Sequence, residues 1–474
     1  MERTALDERP RTVLATVIAA AGAVAVAAAV HIYAGTRVPA PWSDESHFLI
    51  SARALLLRSS FRVPELDQPK GIFWMADGYP LIVAAWWRLT GTLSLDSARW
   101  LSFVATAAAA GAFFSAAKRR MGLVVAGAAS VAWLLSPHTV FVGNFARMEA
   151  LVLAVVAAAF ALAARRRTTG AAGALLLGAV IHPAALFFLV AFVAAVGRDV
   201  TKARNRWELG LVVVATVAVS AQVAWWLVNV DAASSHIAAQ LQTKSTLRIR
   251  AVAGAFPLGI ATAAAVAMLA GKFRHDPLAR IALALAAAGG VVTAIGRDLA
   301  YDVYGYETAL FLVFVAVGPA VASVLRGRWI ALAGFVAAVH LVLPYASQLI
   351  DDRPQPISHY RLYGMSPLDG GADEWDDFVG RAADEVERLA NADQAHVTVV
   401  VPAISPGGFE LLNRQIEGVA VVHETKLQRA YGDFTAVFLA RYLTGGDRPP
   451  PPPASARYQA YSQDGNYSFW IEAR

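Results

Sequence analysis

The sequence predicts an all-α polytopic membrane domain of about eleven transmembrane helices, followed by a small extracytoplasmic α/β domain at the C-terminus. Of the 474 residues, 57% are hydrophobic and only 16% are charged, whereas soluble globular proteins carry roughly 25% charged residues. Apolar runs of about 17–25 residues, long enough to cross a bilayer, recur between residue 12 and about residue 349. Beyond residue 350, acidic residues, prolines and short alternating patterns replace these runs.

Composition also excludes several kinds of site. The chain contains no cysteine, so a disulfide framework, a cysteine-ligated zinc site and a thiol nucleophile are excluded. The net charge of +6 does not indicate a nucleic-acid partner, because the basic residues form short clusters between apolar runs. The bias toward Ala, and toward Arg over Lys, is typical of a high-GC bacterium, so we expect the plasma (inner) membrane.

Basic clusters orient the predicted spans, because cytoplasmic loops are enriched in Lys and Arg. Residues 1–11, 118–120 and 165–167 are therefore predicted to be cytoplasmic, and the first span is uncleaved. That span leads into an external segment at about 35–97, in which residues 78–88 form an interfacial helix too short to span. The other clear spans are predicted at about 98–117, 121–136, 149–164, 207–229, 251–270, 279–295, 307–325 and 329–347, after a first span at about 13–33.

Residues 170–197 allow two interpretations, because they are long for one span and short for two. A single crossing would place the basic residues between 198 and 206 outside. A hairpin of two short or re-entrant helices, turning at His182-Pro183, keeps them inside and leaves the later basic loops cytoplasmic. We therefore predict the hairpin.

The C-terminal part has the pattern of a soluble domain. Residues 373–389 predict an amphipathic helix, and residues 396–401 predict a strand. Prolines 449–453 form a stiff spacer, and residues 458–471 predict a β-hairpin around Asp464-Gly465. We accordingly divide the chain into a transmembrane domain, 1–349, with its first external loop at 35–97, and an extracytoplasmic domain, 350–474.

The most unusual stretch follows the first span and contains the adjacent acids Asp44 and Glu45. An ionised carboxylate costs several kcal/mol to desolvate, so each must be solvated, paired or bound to a metal. Apolar residues recur at helical spacing after the pair, which predicts an amphipathic helix on the membrane surface. The structural alternatives are that Asp44 is a solvated loop acid and that Glu45 caps the helix that follows.

With the topology set by Lys and Arg alone, the other unusual polar residues fall on the same external face. Carboxylates beside cations at a bilayer edge suit a phosphorylated lipid and an acceptor hydroxyl. A carboxylate can also hold a divalent cation, and no Gly-rich nucleotide-phosphate loop is present. The candidates besides the acid pair are Lys70, Asp77, Arg147, Glu149, His182, Lys244, Arg248, Arg250, Arg297, Tyr304 and Tyr306.

The order of several short motifs resembles that of the GT-C class of membrane glycosyltransferases, nearest to the protein O-mannosyltransferases and the lipid A aminoarabinose transferases. The motifs are Asp44-Glu45-Ser46-His47, Gln68-Pro69-Lys70-Gly71, Tyr79-Pro80-Leu81, Ser97-Ala98-Arg99-Trp100, Arg147-Met148-Glu149 and His182-Pro183. The resemblance covers residues 10–350 and is strongest over the first 190 residues. The class often has an acid just before its Lys, and here the available acids are Asp67 and Asp77.

The resemblance implies transfer of a sugar from a polyprenyl-phosphate donor to an extracytoplasmic lipid, glycan or protein hydroxyl, with inversion. It implies that Asp44 is the catalytic or metal-binding carboxylate, with Glu45 supporting it and Mg²⁺ or Mn²⁺ as a possible cofactor. Lys70 matches a donor-phosphate ligand, and Tyr304-Gly305-Tyr306-Glu307 looks like a donor-phosphate motif. The predicted phosphate ligands are Lys70, Arg147, Lys244, Arg248, Arg250, Arg297, Tyr304 and Tyr306, and the predicted pocket residues are Asp77, Glu149 and His182.

Structural alternatives accompany these roles. Arg147 and Glu149 can form an ion pair at a span end, and His182 beside Pro183 can mark a kink. The rival function is a transporter or flippase for a lipid-linked glycan, or a non-catalytic assembly protein. Transporters favour ionisable residues near mid-membrane and repeated halves, whereas this chain clusters them at one face and shows no repeat.

Overall fold

The computed structural model describes residues 43–63, 73, 75–244, 276–295, 301–325, 371–392, 397–401, 419–423, 434–440, 451–461 and 467–473, with isolated positions at 25, 29, 409, 413 and 414. The described part is mostly helical. Its helices are α1 (Ser43–Arg58), α2 (Gly78–Thr90), α3 (Leu95–Met121), α4 (Leu123–Leu134), α5 (Pro137–Gly143), α6 (Glu149–Ala164), α7 (Thr168–Ile181), α8 (Ala184–Val196), α9 (Arg206–Val228), α10 (Val230–Lys244), α11 (Pro277–Ile295), α12 (Ala309–Leu325) and α13 (Gly371–Ala392).

Four of the described helices are long and apolar enough to cross a membrane. They are α3, α9, α11 and the segment Ala184–Thr201, which joins α8 to the short 3₁₀ helix that follows it. Four shorter apolar helices accompany them: α4, α6, α7 and the segment Tyr304–Pro319. The predicted spans at about 251–270 and 329–347, and all but two positions of the first span, lie outside the described residues.

The predicted hairpin at His182-Pro183 is confirmed. His182 is extended at the end of α7, and α8 starts directly after Pro183. At the opposite end of the pair, the Thr168 hydroxyl donates to the Asp199 carbonyl at 2.7 Å, and the Thr169 hydroxyl donates to the Val200 carbonyl at 2.6 Å. Because the start of α7 meets the end of α8, the two helices run back along each other.

Helix α1 corrects one prediction. It was expected to lie on the membrane surface, but between Glu45 and Ala54 every residue except His47 is buried. Arg53 is 7% exposed and donates from Nε to the Asn413 side chain at 3.0 Å. The first helix is therefore packed inside the protein, because neighbouring elements cover both its faces.

Arg120, at the end of α3, has a structural role. Pro319 interrupts α12 and has no N–H to offer the carbonyl of Val315. Arg120 donates to the carbonyls of Val315 at 3.0 Å and Ala316 at 3.1 Å. Its third contact is the Asp276 carboxylate at 2.6 Å. The guanidinium therefore satisfies backbone groups that the proline leaves without a helical partner.

The C-terminal elements form one sheet with a helix on it. The sheet comprises β1 (Val397–Val401), β2 (Val419–His423), β3 (Phe434–Ala440), β4 (Tyr458–Tyr461) and β5 (Tyr467–Ala473), in the order β2-β1-β3-β5-β4. The pairs β2-β1 and β1-β3 are parallel, and the other two pairs are antiparallel. Phe378, Ala382, Val386 and Leu389 of α13 share a separate apolar core with the strands. The predicted helix, first strand and C-terminal hairpin are thus confirmed, while the domain boundaries stay predictions.

Candidate active site

The polar candidates that the structure describes meet at one end of the helix bundle, which we call the site face. The site face is formed by the starts of α1, α2, α3, α6 and α8, the ends of α7 and α11, and a π-helical turn, Tyr304–Thr308, ahead of α12. From α6 to α8 the helices alternate in direction, so the start of α6, the end of α7 and the start of α8 lie on this face. This is the face that the basic clusters predict to be external.

Glu45 is anchored at the site face by a buried ion pair. Its side chain has no exposed surface, and it accepts hydrogen bonds from Arg99 Nε at 3.0 Å and Arg99 Nη2 at 2.8 Å. The backbone N–H of Ala146 donates to the same carboxylate at 2.7 Å, and the Arg99 guanidinium lies over the Phe145 ring at 5.2 Å. Three segments that are distant in sequence are therefore fixed around the first turn of α1.

Arg147 and Glu149 form the ion pair that the structural alternative predicted. Nε and Nη2 of Arg147 donate to the two carboxylate oxygens at 3.2 and 3.1 Å, and both side chains are buried. The guanidinium also lies over the Phe48 ring at 5.2 Å. These contacts hold the start of α6 against α1. A donor-phosphate role for Arg147 stays a prediction, and the structure gives the residue a packing role.

Tyr79 lies next to these pairs. Its ring packs edge-on against Phe48 at a centroid distance of 6.3 Å, and only 1% of the residue is exposed. The hydroxyl is buried near the charges of Glu45, Glu149 and Arg147, and it has no hydrogen-bond partner among the described residues. Because a buried hydroxyl ordinarily finds a partner, this one is a donor available to a ligand or a bound water.

The π-helical turn brings the predicted tyrosine motif onto the same face. The Tyr304 hydroxyl approaches the Glu149 carbonyl at 3.4 Å, and its ring stacks on that of Tyr301 at 6.3 Å. The Tyr301 hydroxyl in turn contacts His182 Nε2 at 3.2 Å. The His182-Pro183 turn is thus both a helix break and part of the polar network.

The turn depends on a glycine at Gly289, and this yields a prediction. A Cβ added to Gly289 in α11 would lie 2.4 Å from the Tyr304 carbonyl oxygen, which is backbone and cannot move aside. We expect Gly289→Ala to displace the turn and to lower the free energy of unfolding by about 1–3 kcal/mol. Gly111→Ala is the matched control, because the space at Gly111 in α3 is open.

Denaturation in detergent micelles, followed by tryptophan fluorescence, measures both variants. Gly111→Ala should be neutral or slightly stabilising, since Ala has the higher helix propensity. An equal stability of the two variants would show that α11 and the turn do not pack as described.

A second buried pair joins α5 to the same turn. His138 Nδ1 is in hydrogen-bond contact with the Glu307 carboxylate, and the Tyr306 ring stacks on the imidazole at 5.5 Å. Burial lowers the pKa of His138, but the Glu307 carboxylate beside it reverses that effect and leaves the pKa raised. The raised pKa favours the protonated imidazole beside this carboxylate. The indole of Trp133 adds a bond to the Thr308 hydroxyl at 3.2 Å.

Asp77 stands at the start of α2 and is bound by a single side chain of α9. The backbone N–H of Asp77 donates to Gln222 Oε1 at 2.8 Å, and Gln222 Nε2 donates to Asp77 Oδ2 at 2.7 Å. Burial raises the pKa of Asp77 to about 6, and the hydrogen bond from Gln222 partly opposes that rise. Asp77 is therefore a carboxyl group that titrates near neutral pH.

The described structure thus assembles seven of the predicted residues on one face and leaves the others untested. Those assembled are Glu45, Asp77, Arg147, Glu149, His182, Tyr304 and Tyr306. Lys70, Arg248, Arg250 and Arg297 lie outside the described residues, and Asp44 and Lys244 are described only as helical positions in α1 and α10.

The contacts of Glu45 bear on whether its carboxylate could bind a cation. Both oxygens of its carboxylate already accept hydrogen bonds from Arg99 or Ala146, so Glu45 does not fit as a metal ligand. No group of three or more His, Asp or Glu side chains that could hold a metal occurs among the residues described here. Cation binding by Asp44 stays a prediction.

Two residues that sequence reasoning missed belong to this site. Arg99 lies within a quoted motif but was given no role, and Gln222 was not singled out at all. Each carried a signal: both are polar residues at or within predicted apolar spans, where a polar side chain needs a partner. Their partners, Glu45 and Asp77, are far away in sequence, so the pairing itself was not predictable.

Comparison with known proteins supports the fold. No protein-family model and no curated protein sequence matches the chain. The crystal structure of ArnT from Cupriavidus metallidurans bound to undecaprenyl phosphate matches with a TM-score of 0.56 and 16% identity, over 95% of this chain and 97% of that one. The apo state of ArnT from the same organism matches with a TM-score of 0.51 and 17% identity, over 96% and 98% of the two chains. The resemblance to the GT-C class, predicted from the motifs, is therefore confirmed at the level of the fold.

Proposed function

We propose that the protein is an integral membrane glycosyltransferase that transfers a sugar from a polyprenyl-phosphate donor to a hydroxyl outside the cytoplasm, with inversion. The observation that carries this proposal is the fold, which is shared over nearly the whole chain with a protein crystallised with undecaprenyl phosphate. The site face adds support, since it gathers carboxylates, cations and tyrosines at one end of the apolar helices. A polyprenyl phosphate has its anionic group at such a boundary.

Asp44 is the proposed catalytic or cation-binding carboxylate. It is the second residue of α1 and directly precedes the anchored Glu45. A carboxylate in the first turn of a helix is stabilised in its ionised form by the helix dipole, which suits both roles. Glu45 is proposed as a positioning residue, because its bond to Arg99 fixes the turn that carries Asp44.

The donor phosphate needs cations, and these are proposed from the sequence. Lys70 and the basic residues between 244 and 250, with Arg297, supply positive charge that can bind the phosphate and stabilise charge growing on it as it leaves. Tyr304 and Tyr306 complete the donor side, and a divalent cation on Asp44 would add Lewis-acid stabilisation. The sugar and the acceptor are not specified by these residues.

A proteoliposome experiment separates this proposal from the transporter alternative. Undecaprenyl-phosphate mannose, glucose and aminoarabinose, each labelled in the sugar, are placed in vesicles that contain the protein. A transferase releases undecaprenyl phosphate as label moves to an acceptor, and activity requires the donor in the leaflet on the site face. Movement of intact labelled donor between leaflets, without cleavage, would overturn the proposal in favour of a flippase.

A further inference from the structure

We propose that Asp77 is the general base that takes the proton from the acceptor hydroxyl, and that Gln222 positions it. This inference rests on the proposed function and deepens it, because it divides the chemistry between two carboxylates. Asp44 would act on the donor side, where it can bind a cation beside the phosphate. Asp77 would act on the acceptor side, where it takes the proton from the hydroxyl.

The Gln222 amide fixes both the backbone and the side chain of Asp77. Its oxygen accepts from the Asp77 N–H at 2.8 Å while its nitrogen donates to Oδ2 at 2.7 Å. Since the two ends of the amide have opposite hydrogen-bonding character, only one orientation satisfies both contacts. Within the described part of the chain, no hydrogen bond is made by Oδ1. One oxygen is thus held and the other is available to an acceptor hydroxyl.

The position of Gln222 in α9 is unusual for a purely structural residue. Helix α9 is the most exposed of the four candidate spans, and its buried residues are Glu208, Ala215 and Gln222, spaced seven apart along one stripe. A polar side chain inside an apolar span is costly unless it is paired, and such residues commonly mark functional sites. Here its pairing serves Asp77.

A second polar group on the same face of α9 has no described partner. Trp226 follows Gln222 by one helical turn, and its indole N–H is buried without a hydrogen-bond acceptor among the residues described. A buried N–H ordinarily donates to a protein or water acceptor, so a buried N–H without an acceptor is rare. A sugar or acceptor hydroxyl bound near Asp77 would supply the missing acceptor.

Phe73, four residues before Asp77, contacts both α9 and α10. The N–H of Phe73 donates to His236 Nδ1 in α10 at 3.2 Å, and the Phe73 ring stacks on Trp225 of α9 at 6.0 Å. The base would therefore be preorganised before substrate binds, which is what orientation-dependent catalysis requires.

Electrostatics are consistent with the proposed role. Burial raises the pKa of Asp77 to about 6, near the value at which a base is both deprotonated at neutral pH and able to take a proton. The causes of the shift are burial, which raises the pKa of Asp77, and the Gln222 hydrogen bond, which lowers it; no neighbouring charge is among them. Burial lowers the pKa of His236, which favours its neutral form.

As the acceptor oxygen bonds to the anomeric carbon, its proton passes to Asp77 Oδ1. The bond between the anomeric carbon and the phosphate oxygen breaks, and its electron pair leaves on the polyprenyl phosphate. Attack from the face opposite the leaving group inverts the sugar, and Asp77 later releases its proton to water.

The test is a pH–rate profile in membranes that retain their native acceptors, with labelled undecaprenyl-phosphate sugars as donors. The wild-type rate should fall as the pH drops below about 6, where Asp77 becomes protonated. Asp77→Asn should lower the rate by about 100-fold or more, abolish this acid limb and leave donor binding unchanged. Gln222→Leu should move the limb to higher pH, because the lost hydrogen bond was lowering the pKa.

Asp96→Asn is the matched control, since Asp96 is an exposed acid at the start of α3 on the same face. It should leave both rate and profile unchanged. A wild-type profile without the acid limb, or an Asp77→Asn enzyme with normal rate and profile, would overturn the assignment while leaving the transferase proposal intact. Absence of donor cleavage by the wild-type protein would instead overturn the proposed function itself.

Discussion

Asp44→Asn is expected to reduce sugar transfer by about 1,000-fold without unfolding the protein. The substitution keeps the size of the side chain and removes the charge, so neither a proton nor a cation can be held there. Because Glu45 and its partners anchor α1 independently of Asp44, thermal unfolding should be close to that of the wild type. The measurement is the initial rate of label loss from the donor at saturating concentration.

The control for Asp44→Asn is again Asp96→Asn, which also removes an acid from the first turn of a helix. Both changes weaken a favourable interaction with a helix dipole, so a difference between them reports chemistry rather than helix stability. Equal activity in the two variants would remove Asp44 from the mechanism and move the catalytic role to another residue.

Breaking the pair between Glu45 and Arg99 is expected to destabilise the protein by about 3–5 kcal/mol. Glu45→Gln leaves a buried guanidinium without its counter-charge, and Arg99→Met leaves a buried carboxylate in the same position. Replacing both residues, as in Glu45→Leu with Arg99→Met, should restore part of the loss because no unpaired charge remains. Recovery should be incomplete, since the Ala146 N–H loses its acceptor.

Unfolding in mixed detergent micelles, followed by fluorescence, gives the double-mutant cycle. The control is Asp199→Asn, which breaks an exposed pair with Lys202 and should cause no measurable change. A Glu45→Gln protein as stable as the wild type would show that the pair does not anchor α1. The positioning role proposed for Glu45 would then be withdrawn.

The large-scale features of this fold follow from physics that is local in sequence. Apolar runs of membrane-spanning length give α3, α9 and α11 almost at their predicted limits. The His182-Pro183 break and the basic residues after it correctly predict the hairpin. Proline interrupts a continuous helix, and the basic residues favour a return to the cytoplasmic side. The alternating pattern after residue 396 likewise predicts β1.

The site was predictable as a set of residues but not as a set of contacts. Glu45 meets Arg99 across 54 positions and Asp77 meets Gln222 across 145, and no spacing rule links residues so far apart. The apolar stripe of α1 indicated a surface helix because periodicity shows which face is apolar, not what covers the other one. Contacts from residues such as Asn413 supply that cover.

The measurement that tests the central claim most directly is formation of free undecaprenyl phosphate by the purified protein. Wild type and Asp44→Asn would be incubated in detergent with each undecaprenyl-phosphate sugar and a membrane extract as the source of acceptors, with and without Mg²⁺ or Mn²⁺, and the lipid product quantified by mass spectrometry. The account predicts release by the wild type with at least one donor, and its loss in the Asp44→Asn protein. Donor that binds to the wild type and is never cleaved, under any of these conditions, would contradict the claim that this protein is a glycosyltransferase.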